Sequence, residues 1–417
     1  MTFITAQAVR SALLRGEEIA LIDVREEAEF ALGHPLFAAQ IPARRIAVEA
    51  HWRIPRRDVL LVVYDDRAAG GADLAEAAAE QFEDLGYERV RLLKDGLLGW
   101  RNAGYELFED VNSYAKAFGE LVEHRRHTPS LTSPEVKALI DDRANIVVLD
   151  ARRFDEYATM SIPTGISVPG AELVLNAADL APDPQTTIVV NCAGRTRSII
   201  GTQSLINAGL PNRIVALRNG TIGWTLAGQA LDSGQARKGF EAIPQGVEEA
   251  RTRASDVAYR AGVKRLTQAD LDILQQDITR TLYLFDVRQK AAFEAGHIAG
   301  FVNVPGGQLV QETDHYAPVR GARIVLADDL GPRADMSASW LAQMGWEVYV
   351  LDGGFEAGAA LAAGPDDAPA PRGPEGRYKR PYEGTENKAA AMQAYLDWEY
   401  GLVDQLARDA THGFHVI

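Results

Sequence analysis

The sequence predicts an α/β protein made of three tandem copies of one unit, each a mostly parallel sheet flanked by helices, followed by a C-terminal helical tail. Three observations carry this. The phrase Leu21-Ile22-Asp23-Val24-Arg25 returns as Val148-Leu149-Asp150-Ala151-Arg152 and again as Leu284-Phe285-Asp286-Val287-Arg288. A second apolar run follows each phrase, and the same 42-residue interval separates Asp23 from Asp65, Asp150 from Cys192 and Asp286 from Asp328. Runs rich in β-branched residues alternate with helix-like segments, as in sheets whose strands are buried on both faces and joined by helices. Self-similarity at a fixed interval marks a repeat architecture.

Each unit opens on an amphipathic helix pattern with a threonine at its start: Thr5, Thr132 and Thr267. The first strand ends in the Asp-x-Arg phrase, and an aromatic residue stands five positions after the arginine (Phe30, Tyr157, Phe293). The second strand is Val59 to Val63 in the first copy, Thr187 to Val190 in the second and Arg323 to Leu326 in the third. A helix, a short strand and a glycine turn close each unit, at Lys94-Asp95-Gly96, Arg218-Asn219-Gly220 and Asp352-Gly353-Gly354. The units are expected over 1–110, 128–236 and 263–363.

Helical bridges are expected from Val111 to His124 and from Val247 to Arg260. The stretch 364–384 carries Pro365, Pro369, Pro371, Pro374 and Pro381 and reads as an extended linker. Within the tail, 364–417, one helix is expected from Lys388 to Arg408, with Met392, Tyr395, Leu396, Trp398, Leu402, Val403 and Leu406 at helical spacing. That stripe suits a docking face on the body or a contact between two copies of the chain.

Cys192 is the only cysteine of 417 residues. It ends an apolar run and opens the loop Cys192-Ala193-Gly194-Arg195-Thr196-Arg197, with an apolar-periodic helix expected from Ser198. A thiol between a strand end and a helix N-terminus faces backbone N–H groups and the positive end of the helix dipole. With arginines nearby, such surroundings lower a cysteine pKa from about 8.5 to roughly 3.5–7.5 and make it nucleophilic. The competing reading is a small buried hydrophobe, which the following Gly, Arg, Thr and Arg disfavour. The first and third units carry Asp65 and Asp328 at the equivalent position and are expected to be catalytically silent. Metal binding by Asp65-Asp66 or Asp328-Asp329 lacks nearby histidine ligands and is not expected.

Composition narrows the function classes. A hydrophobic content of 47% allows each unit a core, and a net charge of −15 argues against nucleic acid as the main partner. One cysteine permits no internal disulfide, so nothing implies an oxidising compartment. With neither a basic, apolar leader nor a run of about 20 apolar residues, a soluble cytoplasmic protein off the membrane is expected.

The Asp-x-Arg phrase, the strand–cysteine–Gly/Arg loop–helix and the glycine turn before Trp224 resemble the rhodanese family of sulfurtransferases. The likeness spans three consecutive rhodanese-like domains, about nine-tenths of the chain. It implies that Cys192 takes the outer sulfur of a small anionic donor such as thiosulfate as a persulfide. A thiophilic acceptor such as cyanide or a thiol then removes it, without metal or cofactor. Ala193, Gly194, Arg195, Thr196, Arg197 and Ser198 would bind the donor, with Arg195 and Arg197 holding its charge. The alternative use of either arginine is a salt bridge to a neighbouring unit. Asp150, Arg152 and Glu156 are expected to be structural, with Arg152–Glu156, like Arg25–Glu29, as an ion pair.

The second unit departs from the family pattern at Met160-Ser161-Ile162-Pro163, where Gly-His-Ile-Pro is usual and the third unit keeps Gly296-His297-Ile298. Rival functions are a persulfide carrier or scaffold serving a protein acceptor, a 3-mercaptopyruvate sulfurtransferase, and a Cys-loop phosphatase or arsenate reductase. The last class needs arginine after five intervening residues, where this chain has Ser198. Association of copies through the tail helix is a further expectation.

Overall fold

The computed structural model describes residues 2–66, 74–241, 245–353, 355, 361–366, 368–369, 376–380 and 387–417. Residues 67–70 of the Asp65 loop, Gly354 and the linker prolines 371, 374 and 381 lie outside the described residues. The threonines read as helix starts are caps: the Thr5, Thr132 and Thr267 hydroxyls accept from Ala8 N–H, Glu135 N–H and Asp270 N–H. In the latter two an acid three residues on returns the bond to the cap's own N–H, which fixes the first turn.

Each repeat forms its own sheet. The second unit is fully parallel, in the order Ser130–Leu131, Ile214–Leu217, Thr187–Asn191, Ile146–Asp150 and Ile166–Ser167. The third follows the same order with Lys264–Leu266, Glu347–Leu351, Arg323–Ala327, Leu282–Asp286 and Val302–Asn303. In all three the central register is the same: Asp23 pairs with Tyr64, Asp150 with Asn191 and Asp286 with Ala327. The residue after each of those partners is Asp65, Cys192 and Asp328, so the 42-residue interval is a register constraint.

The units do not sit as separate beads. Strand Val319–Arg320 of the third unit leaves its own sheet and pairs antiparallel with Ile19–Asp23 of the first. One continuous core runs from Ile22, Val63 and Phe82 of the first unit through Phe118 of the bridging helix (Ser113–Arg126) to Trp340 and Leu341 of the third. Tyr283 OH donates to Arg53 O at 2.8 Å, and Trp340 Nε1 donates to Ser204 Oγ of the second unit at 2.9 Å. The second bridging helix (Val247–Arg260) packs Ala254 and Val257 into the core of the second unit beside Met336 of the third. Burial of this apolar surface, worth about 25 cal/mol per Å², welds the three sheets around a common junction.

The tail is two helices where the sequence suggested one, Lys388–Tyr400 and Leu402–Asp409, broken at Gly401. The break lets the stripe follow a curved surface: Met392 and Leu396 pack on Ile222 of the second unit, while Leu402 and Leu406 join the shared core. The tail thus docks on the body. Among the described residues, no helix is long and apolar enough to cross a membrane.

Candidate active site

Cys192 follows strand Thr187–Asn191 directly, and the neighbouring strand end fixes it through Asp150. The Asp150 carboxylate accepts from Arg152 Nε (2.9 Å), Arg152 Nη2 (2.7 Å) and Asn191 Nδ2 (2.7 Å). Arg152 also donates to Met160 O at 2.5 Å. The other copies repeat this clamp, with Arg25 on Asp23 and Gly33 O, and Arg288 on Asp286 and Gly296 O. This corrects the expected Arg152–Glu156 and Arg25–Glu29 pairs. Arg152 precedes the helix Phe154–Thr159, and the turn folds its guanidinium back onto the strand end. Glu29 instead accepts from Glu26 N–H in a cap.

Glu156 pairs with the loop. Arg197 Nη1 and Nη2 reach its two oxygens at 2.6 and 3.0 Å. Burial pushes the Glu156 carboxyl up, but Arg197, with Arg380 and Arg152 behind it, holds it at about 2. Burial works against the Arg197 charge as well, yet Glu156, Cys192 and Asp150 keep it above its ordinary range.

Arg195 does not join it. Its guanidinium is buried against the bridging helix, with Nε on Glu120 Oε1 (2.7 Å), Nη2 on Glu120 Oε2 (2.8 Å), a bond to Glu123, and its plane 3.9 Å from the Tyr400 ring. The reading of Arg195 as a donor-binding residue is therefore corrected to the salt bridge weighed as its alternative. As cap of the loop helix (Thr196–Asn207), Arg195 turns to Glu120, whereas Arg197 turns to Glu156. That helix starts two residues before the expected Ser198. Thr196 also faces the bridging helix: a β-carbon on Gly119 would stand 2.8 Å from its Cγ2, so it packs and does not line the site.

Ser198 occupies the third helical position, where its hydroxyl oxygen accepts from the Cys192 thiol at 3.5 Å and its backbone N–H helps to lower the thiol pKa. The same hydroxyl donates to Arg195 O at 2.7 Å. The thiol is 2% exposed. Burial, the largest effect, pushes it above its ordinary value, Arg197 and Ser198 pull it down, and Glu399 adds to burial. The expected net lowering is not found, because burial of the thiol outweighs Arg197 and Ser198. The glycine turn holds the loop from below. Thr221 N–H and Ile222 N–H donate to Cys192 O and Ala193 O at 3.0 and 2.9 Å, and a β-carbon on Gly220 would stand 2.3 Å from Cys192 O.

A cleft of about 910 Å³ opens where the three units meet, and Ala193, Gly194 and Arg197 line it with Phe154, Glu156, Lys116, Gln308 and Tyr395. In the third unit the equivalent loop is plugged by its own side chain. Asp328 Oδ2 accepts from Arg333 N–H (2.9 Å) and Ala334 N–H (3.4 Å), and Oδ1 from Arg333 Nη1 (3.0 Å). Ala334 stands six residues after Asp328, as Ser198 stands six after Cys192. In the first unit Asp65 Oδ2 accepts from Ala75 N–H at 3.1 Å. Each aspartate caps the helix that the sulfur faces in the middle unit.

The rhodanese-like domain profile matches residues 5–103, 132–227 and 267–361. The chain belongs to the rhodanese-like family. Among solved structures, a thiosulfate sulfurtransferase from Pseudomonas aeruginosa is 49% identical over 100% of both chains, with a TM-score of 0.95. A rhodanese-like domain from Anabaena sp. is 20% identical over 25% of this chain and 79% of its own, with a TM-score of 0.23. An anaerobic ergothioneine biosynthesis enzyme from Chlorobium limicola is 18% identical over 88% and 100%, with a TM-score of 0.27. No curated protein sequence matches significantly. This rhodanese-like chain is a sulfurtransferase enzyme.

The departure at Met160-Ser161 is absorbed locally. His34 and His297 stack on Phe30 and Phe293 at 3.8 and 3.7 Å, whereas the second unit pairs a small Ser161 with Tyr157, whose hydroxyl reaches Gly165 O at 2.8 Å. Sequence reasoning missed two residues at the site, Tyr395 as a site residue and Glu399 altogether. They lie four apart on the tail helix and press on Gly194, and only the helical spacing from Tyr395 to Glu399 pointed there.

Proposed function

We propose that the chain moves the outer sulfur of thiosulfate, through a persulfide on Cys192, to a thiophilic acceptor such as cyanide or a thiol. The observation that carries this reading is Cys192 itself. It is the one thiol, set at the start of a loop helix that aims Ser198 N–H at it, with Arg197 alongside, in a chain 49% identical to a thiosulfate sulfurtransferase. The thiolate attacks the outer sulfur, the S–S bond of the donor breaks, and its electron pair leaves with sulfite. The acceptor then attacks the outer sulfur of the persulfide and returns Cys192 as thiolate. Each step is a two-electron displacement at the outer sulfur, with sulfite leaving in the first and the Cys192 thiolate in the second, so the balance calls for no cofactor.

In this reading Arg197 attracts the dianion and steadies the departing sulfite. Ser198 donates to the thiolate once its hydroxyl turns from Arg195 O, and Gly194, having no side chain, leaves room for Tyr395 and Glu399 against the loop. Asp150, Arg152 and Glu156 hold strand end and arginine in place. The units at 1–110 and 263–363 are read as catalytically silent, since Asp65 and Asp328 put a carboxylate where the middle unit has its thiol, bonded to Ala75 N–H in one and to Arg333 and Ala334 N–H in the other. They wall the cleft around the active unit at 128–236, and of the tail at 364–417 the helix Lys388–Tyr400 lies over the loop. A chain with one cysteine and hence no internal disulfide suits the reducing cytoplasm.

One observation favours a second reading, a persulfide carrier for a protein acceptor. The cleft of about 910 Å³ is the size of sites for drug-sized ligands, about 300–1,000 Å³, and far exceeds an inorganic donor. Mass spectrometry after thiosulfate treatment tests the central step, with a gain of about 32 Da on the Cys192 peptide expected and none in Cys192→Ser. No gain with any sulfur donor removes the mechanism. Turnover with cyanide or small thiols supports the enzyme, and loading without turnover supports the carrier.

A further inference from the structure

The tail helix lies outside the three family-matched segments, yet it places an acid beside the Cys192 loop. Glu399 is 1% exposed, and its Oε1 accepts from Tyr395 OH at 2.9 Å. Its Oε2 is buried and has no hydrogen-bond partner among the described residues. A β-carbon on Gly194 would stand 3.2 Å from that oxygen and 3.3 Å from Tyr395 Cε1. An ion in such a place would be costly without a close counter-charge, and the nearby cations are committed elsewhere. Lys116 bonds Asp110 at 2.8 Å under the Tyr395 and Trp398 rings, and Arg195 is held by Glu120 and Glu123.

We propose that Glu399 is a positioning residue of the sulfur site, kept as a neutral acid so that no second negative charge competes with the Cys192 thiolate or an incoming dianion. This rests on the reading of Cys192 as the persulfide-forming thiol. The groups facing Glu399 are Tyr395 on its own helix, Lys116 and Glu120 on the bridging helix, and Arg195 and Cys192 on the loop. Burial, the largest effect, pushes Glu399 up to about 8; Glu120 adds to it, and Lys116, Tyr395 and Arg195 oppose it. Below that pH the loop meets a neutral neighbour. Above it, a carboxylate raises the thiol further and repels anionic donors. The tail thereby sets both the pH range and the donor charge that the site takes.

The experiment is single-turnover loading of the full chain with thiosulfate across pH 6–10, with no acceptor present, read as persulfide mass gain at Cys192. The wild type is expected to pass through a maximum and decline on the alkaline side, by about tenfold per pH unit at the limit. Glu399→Gln cannot ionise, so its rate should climb to a plateau, with the midpoint at lower pH because the repulsion on the thiol is gone. Tyr395→Phe removes the hydroxyl that steadies the carboxylate, so Glu399 ionises later and the decline should move to higher pH. This variant keeps the test open where Glu399→Gln does not fold. A second readout is the ratio of Cys192 alkylation by iodoacetate to that by iodoacetamide. It should fall several-fold from pH 7 to 9 in the wild type and stay level in Glu399→Gln. Persulfide gain with the same alkaline decline in Glu399→Gln, or a decline unmoved in Tyr395→Phe, overturns the role of Glu399 and leaves Cys192 standing. No gain in the wild type at any pH overturns both.

Discussion

Replacing Arg195 with alanine separates the two loop guanidinium groups by role. The Arg195 side chain is 2% exposed and its bidentate partner Glu120 is 3% exposed. Truncation leaves a carboxylate in a dry pocket facing Glu123. Removing one partner of a buried pair costs about 3–5 kcal/mol. Burial already raises the Glu120 carboxyl with Arg195 in place, so the orphaned acid takes up a proton and the cost falls toward about 3 kcal/mol. Loss of the stacking on Tyr400 adds about 0.5–1 kcal/mol. The assay pairs urea unfolding with single-turnover loading by thiosulfate, well below the unfolding transition. Arg195→Ala should lose most of that stability, and Arg195→Met with Glu120→Leu should regain much of it, since apolar residues often replace a buried pair without loss. Loading by folded Arg195→Ala should stay within about threefold of wild type, because the group never faces the donor. Wild-type stability in Arg195→Ala, or a tenfold loss of thiosulfate affinity in its folded form, would return Arg195 to the donor site and refute this reasoning.

Arg197→Met should reduce thiosulfate kcat/KM by about 10²–10³, the usual cost of one lost oxyanion donor, and move the alkylation profile of Cys192 to higher pH, since Arg197 lowers that thiol. Gly220→Ala should unfold at lower urea and load sulfur slowly, because its β-carbon meets Cys192 O at 2.3 Å and the backbone sits at φ +52°. Normal loading would show that the loop shape is not what the turn protects. Glu156, held at about 2 against an ordinary 4.5, contributes stability that is present above its unfolded pKa and lost as pH falls through the folded one. The stability gap between wild type and Glu156→Gln should therefore narrow from pH 5 to pH 2 in acid unfolding curves. An unchanged gap would break the assignment of that shift to the Arg197 pair.

The repeat, the place of each central strand and the strand-end position of the single thiol were legible in the chain because they depend on local pattern and equal intervals. Apolar runs specify buried strands, threonines specify caps, and a fixed 42-residue interval sets register, so Cys192, Asp65 and Asp328 had to fall at equivalent strand ends. The Asp-x-Arg clamp was visible as a phrase but was given the wrong partner, since helical spacing suggested Glu156 where a turn delivers Asp150. Side-chain direction at a helix cap could not be read either, and it decided that Arg197 faces the sulfur while Arg195 faces Glu120. Only the tertiary structure brought the bridging helix, the third unit and the tail to one junction, because burial of apolar surface acts between segments hundreds of residues apart. Glu399 and Tyr395 stand about 200 residues beyond Cys192 in the chain, with no interval or motif linking them. Their place against Gly194 follows from where Met392 and Leu396 find Ile222 to cover, and that is a property of the packed surface.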